Sequence, residues 1–293
     1  MRLKIKETEA LSILTKSGLP ASDWVINPYN GCLFGCMYCY AAIITRWWHP
    51  GEEWGSYLDV KTNAPDLLEK ELLKQEKKYK RKNFGSIFFS SVTDPYVGME
   101  AKYKLTRRCL QVLLDFGYEG TVSILTKSPI VVRDTDLFKK FKRIEVGMTI
   151  TGLDDKVSRF LEVKAPPVSH RIKALEKLSQ AGIETYAFVG PIVPYFINNE
   201  QKIKKIIDKL EQIGVKKIWF EHLNLNPQIK QRLFDYLKKE SPALITEFEN
   251  FDTEIYRKKL NKIIDKQMSG RKIKMGYKEV IYHKKLKKSK ATS

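Results

Sequence analysis

Between residues 24 and 220, short apolar and β-branched runs alternate with longer segments of helical period, and this alternation constrains the fold more than any other feature. Strand candidates fall at 24–27, 86–91, 121–126, 144–149, 184–189 and 217–220. Helical periods occupy 64–79, 105–116, 169–181 and 199–213 among others, with Gly117, Gly182 and Gly214 placed where left-handed C-caps belong. Strands separated by helices pair in parallel through crossovers rather than as hairpins. Six such units fall short of eight, so the pattern fits an open doubly wound sheet or an incomplete barrel. Polar residues gather just after the strands, at Ser90-Ser91-Val92-Thr93-Asp94, Thr126-Lys127-Ser128 and Thr149-Ile150-Thr151-Gly152. In parallel α/β folds the carboxyl ends of strands carry the ligand, so these groups are placed to line one site.

After Asn226-Pro227 the pattern changes to helices without intervening strands. The expected organisation is one α/β domain over residues 1–225, followed by a basic helical extension and tail over 226–293, with 18 basic against 8 acidic residues in the second part. The formal net charge is +19, which suits an anionic partner such as nucleic acid but equally a solvated lysine-rich surface. The charged N-terminus lacks a signal-peptide pattern, and no run is long and apolar enough to span a membrane, so a cytoplasmic protein is expected.

Four cysteines are too few for a disulfide framework, and three of them lie within eight residues, in Gly31-Cys32-Leu33-Phe34-Gly35-Cys36-Met37-Tyr38-Cys39. Gly31 and Gly35 permit the tight turns that bring three thiolates together on one loop. Such a loop can hold zinc, completed by His49, or a cubane cluster in which three thiolates leave one iron open to another ligand. Cys109 shares an apolar helix face with Leu105, Val112 and Leu113 and reads as a core thiol.

The Cys-x3-Cys-x2-Cys loop with Tyr38 before its last cysteine resembles the signature of the radical S-adenosylmethionine enzymes. Asn27-Pro28-Tyr29 before the loop, Thr93-Asp94-Pro95-Tyr96, Leu105-Thr106-Arg107, Thr126-Lys127-Ser128 and Arg133-Asp134 are similar to the family related to spore photoproduct lyase, over residues 26–194. The resemblance implies a partial (β/α)6 TIM-type barrel and a [4Fe–4S] cluster on Cys32, Cys36 and Cys39. It further implies S-adenosylmethionine on the open iron, cleaved reductively to a 5′-deoxyadenosyl radical, with electrons from a flavodoxin- or ferredoxin-type donor. From matched positions, Tyr38 is expected near the adenine, Ser90 near the amino group and Lys127 near the carboxylate, with Thr149 following on the fourth strand. Glu162 is expected at the ribose hydroxyls, and Arg171 forked to the methionyl carboxylate.

One departure from that family stands out. The lyase carries a hydrogen-donor cysteine after its second strand, where this chain has Ser90-Ser91-Val92-Thr93-Asp94, so the lyase reaction itself is not expected. Asp94 and Tyr96 are then candidates to meet another substrate. Trp47, Trp48, Trp54 and Tyr57 are expected to seal the cluster loop or to stack a nucleobase. His49 and His222 read as structural. The competing class is a zinc-stabilised nucleic-acid-binding protein using Cys32, Cys36, Cys39 and His49.

Overall fold

The computed structural model describes residues 3–19, 21–194 and 199–283. Its strands are β1 (Lys4–Thr8), β2 (Leu14–Lys16), β3 (Trp24–Ile26), β4 (Tyr29–Asn30), β5 (Tyr57–Lys61), β6 (Ile87–Phe89), β7 (Val122–Thr126), β8 (Ile144–Thr149), β9 (Glu184–Ile192), β10 (Lys217–His222) and β11 (Lys274–Met275). Eight of them form one sheet in the order β11-β10-β9-β8-β7-β6-β3-β2. All neighbours in it are parallel except the β2–β3 pair. The six strands read from sequence are β3, β6, β7, β8, β9 and β10, in spatial order, so the sheet advances one strand at a time with no reversal. That sequential order distinguishes a partial barrel from a doubly wound sheet.

Alternation along each strand divides the two faces. Ile87 and Phe89, Val122 and Ile124, Val146 and Met148, Ala187 and Val189, and Ile218 and Phe220 join the main core beneath the helices. The intervening Phe88, Leu125, Gly147, Tyr186, Phe188 and Trp219 therefore point to the concave side. There Tyr186 crosses to β7, its hydroxyl donating to the Ile124 carbonyl at 2.9 Å. A Cβ at Gly147 would lie 2.2 Å from the Tyr186 ring, so only glycine lets the tyrosine cross and floor the barrel.

Helices Ala64–Tyr79, Leu105–Phe116, Val168–Gln180 and Glu200–Gln212 cover the convex side. Gly117, Gly182 and Gly214 end three of the helical segments at φ values of +74°, +81° and +83°. Two features differ from expectation. A second sheet, β1-β5-β4, was hidden because Lys-Ile-Lys-Glu-Thr reads as a charged terminus until it pairs in parallel with the buried β5. The C-terminal part also returns a strand, since the two-residue β11 extends the sheet beside β10.

Helices Pro227–Glu240, Ile245–Asn250 and Glu254–Met268 do not stand apart from the barrel. Leu233, Leu237, Phe248 and Phe251 share a buried cluster with Leu161 and Leu223, and Met37 and Tyr38 of the cysteine loop pack on it. The basic run 284–290 lies outside the described residues. No helix among the described residues is long and apolar enough to cross a membrane.

His222 fixes this C-terminal packing. It is 2% exposed, stacks on Phe251 at 4.9 Å and touches the Tyr282 and Tyr256 rings at 5.1 and 5.5 Å. Burial pushes its imidazole down to about 4, only partly offset by Asp252 at 3.9 Å, while Arg257 and His283 oppose protonation as well. Between pH 6.5 and 4 the unfolded chain therefore binds a proton that the folded chain refuses, so stability falls as pH falls. Denaturant unfolding should show this loss at up to about 1.4 kcal/mol per pH unit, and His222→Phe should flatten it.

Candidate active site

The loop after β4 turns twice: the Gly35 amide donates to the Cys32 carbonyl at 3.3 Å, and the Cys39 amide to the Cys36 carbonyl at 3.2 Å. Gly31 and Gly35 adopt φ values of +82° and +60°, and a Cβ on Gly31 would lie 2.6 Å from the Tyr57 ring. A Cβ on Gly55 would lie 2.8 Å from Gly35 Cα, so the loop and the segment before β5 meet backbone to backbone. All four cysteines are free; Cys32 and Cys36 are buried and Cys39 is half-buried. Burial pushes the three loop thiols up, Cys36 to about 12, so their thiolates need a metal to form at neutral pH.

Glu162 lies at the centre of the neighbouring polar cluster. Fully buried, it accepts from Arg171 at 2.5 Å, from the Tyr38 hydroxyl and from Thr151 Oγ1 at 3.4 Å. Lys127 Nζ stands 4.0 Å from the same carboxylate and 5.7 Å from the centre of the Tyr38 ring. Burial alone would depress the Lys127 ammonium, but the Cys36 sulfur, once ionised, and the Glu162 carboxylate beside it outweigh that and raise it. One carboxylate thus faces two cations.

Arg171 departs from its expected role. Its guanidinium donates to the Pro166 carbonyl at 2.9 and 2.8 Å, to the Thr149 carbonyl at 3.1 Å and to Glu162, and the residue is wholly buried. It braces the end of β8 and the carboxylate rather than offering a free fork to a ligand. Thr149, at that strand end, is buried. Ser90 lies just past β6 in the left-handed region at φ +68°, an unusual conformation for a serine, and its hydroxyl is buried without a hydrogen-bond partner. An orphaned hydroxyl held in a costly backbone conformation at a strand's carboxyl end fits a ligand contact.

Asp94 and Tyr96 are not available to a substrate. Asp94 accepts from Thr126 Oγ1 at 2.6 Å, the Lys127 amide at 2.8 Å and the Tyr96 amide at 2.9 Å, and so fixes the position from which Lys127 reaches inward. Tyr96 is fully buried with its hydroxyl on Asp134 at 3.1 Å. His49 is likewise committed: it stacks on Tyr57 at 3.8 Å and pairs through Nε2 with Asp59 at 2.8 Å. Among the described residues no three His, Cys, Asp or Glu side chains converge on one point as ligands of a single ion do, and His49, committed to Asp59 and Tyr57, gives the zinc reading no fourth ligand beside the cysteines. In a cubane each thiolate binds its own iron, so the sulfurs need not meet at one point.

The aromatics divide. Trp54 and Tyr57 are buried against the loop, whereas Trp47 and Trp48 are 60% and 68% exposed and seal nothing. Arg232, absent from the sequence reading, donates to the Cys36 carbonyl at 2.5 Å and to the Gly35 carbonyl at 2.8 Å from helix Pro227–Glu240. Its one sequence cue is an arginine bordering an apolar helical stripe in a lysine-rich chain.

Removing Arg171 takes from the buried Glu162 the cation it hydrogen-bonds and leaves only Lys127 at 4.0 Å, which costs up to about 3–5 kcal/mol. Denaturant unfolding of the metal-free protein should show that loss for Arg171→Met. The exposed Arg159→Met should stay within about 0.5 kcal/mol of the parent.

Comparison with known proteins accords with this geometry. Residues 26–210 match the model of the radical SAM superfamily. An uncharacterised protein of Methanocaldococcus jannaschii is 36% identical over 241 residues, covering 82% of this chain and 85% of that protein. A radical SAM Nalpha-GlyT isomerase of Pseudomonas phage M6 is 23% identical over 64% of this chain and 37% of its own length. Spore photoproduct lyase complexed with dinucleoside spore photoproduct superposes with a TM-score of 0.72 at 15% identity, covering 93% of this chain and 82% of that one. A double mutant of that lyase with bound AdoMet gives 0.71 at 14% identity, covering 94% and 82%. The chain belongs to the radical SAM superfamily, whose enzymes use a [4Fe–4S] cluster and S-adenosylmethionine.

Proposed function

We propose that Cys32, Cys36 and Cys39 ligate the cluster and that Tyr38, Ser90, Lys127, Thr149 and Glu162 surround S-adenosylmethionine at the carboxyl ends of the strands. The observation that carries this reading is the charge arrangement at Lys127. Glu162 is committed to Arg171, which leaves the Lys127 ammonium able to take a ligand carboxylate beside the cysteine loop. The orphaned Ser90 hydroxyl supplies a further polar contact. Three free thiols form a soft donor set suited to iron–sulfur ligation. Bound there, the reduced cluster and S-adenosylmethionine supply methionine and a 5′-deoxyadenosyl radical for hydrogen abstraction. The protein's own part is to hold the reactants and exclude water: Tyr186 floors the barrel, while Trp54 and Tyr57 back the loop. An external flavodoxin- or ferredoxin-type donor would supply the electron.

The substrate in this reading is a nucleobase carried on nucleic acid. Trp47 and Trp48 offer exposed rings on the helix that follows the cysteine loop, with Arg46 stacked over Trp47 at 4.1 Å, and the net charge is +19. The dinucleoside complex of the lyase fits the same substrate class. Photoproduct repair is not the reaction proposed, because the chain's remaining thiol, Cys109, is fully buried in the main core on helix Leu105–Phe116.

Anaerobically reconstituted protein should hold about four irons per chain and release 5′-deoxyadenosine on reduction, faster with single-stranded oligonucleotide present. Cys36→Ala should lose the iron and Cys109→Ala should keep it. Iron retained in the first variant would overturn the ligand assignment.

A further inference from the structure

The two cations deepest in the site, Arg171 and Lys127, both pair with Glu162, whereas Arg232 makes no ion pair in contact. No carboxylate among the described residues lies within 4.0 Å of its guanidinium, which is half-buried between helix Pro227–Glu240 and the cysteine loop. Both its hydrogen bonds go to neutral carbonyls, those of Cys36 and Gly35, and its charge bears on the sulfurs of Cys39 and Cys36 first and on the more distant Glu53 carboxylate after them. A half-buried cation with no carboxylate in contact is costly to keep unless an anion stands near it. Three thiolates around a cubane provide that anion, and one-electron reduction makes it more negative.

We propose that Arg232 is a positioning residue that sets the reduction poise of the cluster, its fixed positive charge favouring the reduced state. Cluster potentials respond to net local charge, hydrogen bonding and solvent exposure, and Arg232 acts on the first of these. In the reaction concerned, one electron passes from an external reductant to the oxidised cluster and no bond in the protein changes. The C-terminal helix thereby becomes part of the redox site: without it the loop would keep its three cysteines but lose the charge that eases reduction. This rests on the cysteine assignment proposed above. Failure of that assignment would appear as wild-type protein without iron, whereas failure of the present inference would appear as an unmoved potential.

The test is an EPR-monitored redox titration of reconstituted wild type, Arg232→Gln and Arg232→Lys, with iron counted in each. Arg232→Gln keeps a hydrogen-bond donor and removes the charge; its reduction equilibrium should be about tenfold less favourable, a shift of 59 mV to more negative potential. Arg232→Lys keeps the charge without the fork and should remain near wild type. If Arg232→Gln does not retain iron while Arg232→Lys does, the charge is a requirement for holding the cluster rather than for its potential, and the proposal is overturned. A fully loaded Arg232→Gln at the wild-type potential overturns the proposal. So does a shift of equal size in both variants, which would assign the effect to the hydrogen bonds, or loss of iron from both, which would reduce Arg232 to a brace of the loop.

Discussion

Glu162 joins four separate parts of the chain through one carboxylate: Tyr38 on the cysteine loop, Lys127 after β7, Thr151 after β8, and Arg171 on helix Val168–Gln180. A fully buried carboxylate is tolerable only when its oxygens are satisfied and its charge is answered, and here both conditions depend on the curvature of the open sheet. The site and the fold are therefore not separable. If β8 shifted, Arg171 would lose the Thr149 carbonyl, Glu162 would lose the nearer of its two cations, and the cysteine loop would lose the bond from Tyr38.

A second anchor acts from the opposite side of the loop. Arg232 holds the Gly35 and Cys36 carbonyls, the Met37 amide donates to the Leu161 carbonyl at 2.9 Å, and Thr93 bonds the Gly31 carbonyl. A segment whose glycines permit many conformations is thus confined to one before any metal binds, which lowers the conformational entropy lost on assembling a site. The arginines are used with economy in a chain dominated by lysine. Arg107, Arg133, Arg171, Arg232 and Arg271 all make paired or forked contacts, where a planar guanidinium does what an ammonium cannot.

Much of this was legible from residue order alone. Hydrophobic period located the six barrel strands, and glycine placement located three helix ends, because both signals are local. The cysteine spacing and the polar groups after the strands were equally local. What escaped depended on partners distant in sequence. β1 has no signal apart from β5, the two-residue β11 none apart from β10, and Arg232 becomes meaningful only when helix Pro227–Glu240 is laid on a loop nearly two hundred residues earlier. Arg171 illustrates the opposite error. Residue type suggested a fork for a ligand carboxylate, and the fold spends that fork on Pro166, Thr149 and Glu162.

The central claim is that S-adenosylmethionine binds at the iron which the three cysteines leave open, beside Lys127 and Ser90. The EPR spectrum of the dithionite-reduced cluster, recorded with and without S-adenosylmethionine, tests it most directly. A cofactor bound to the open iron changes that iron's ligand field, so the account predicts a distinct spectrum on addition. A fully loaded cluster whose spectrum is the same with and without S-adenosylmethionine would contradict it.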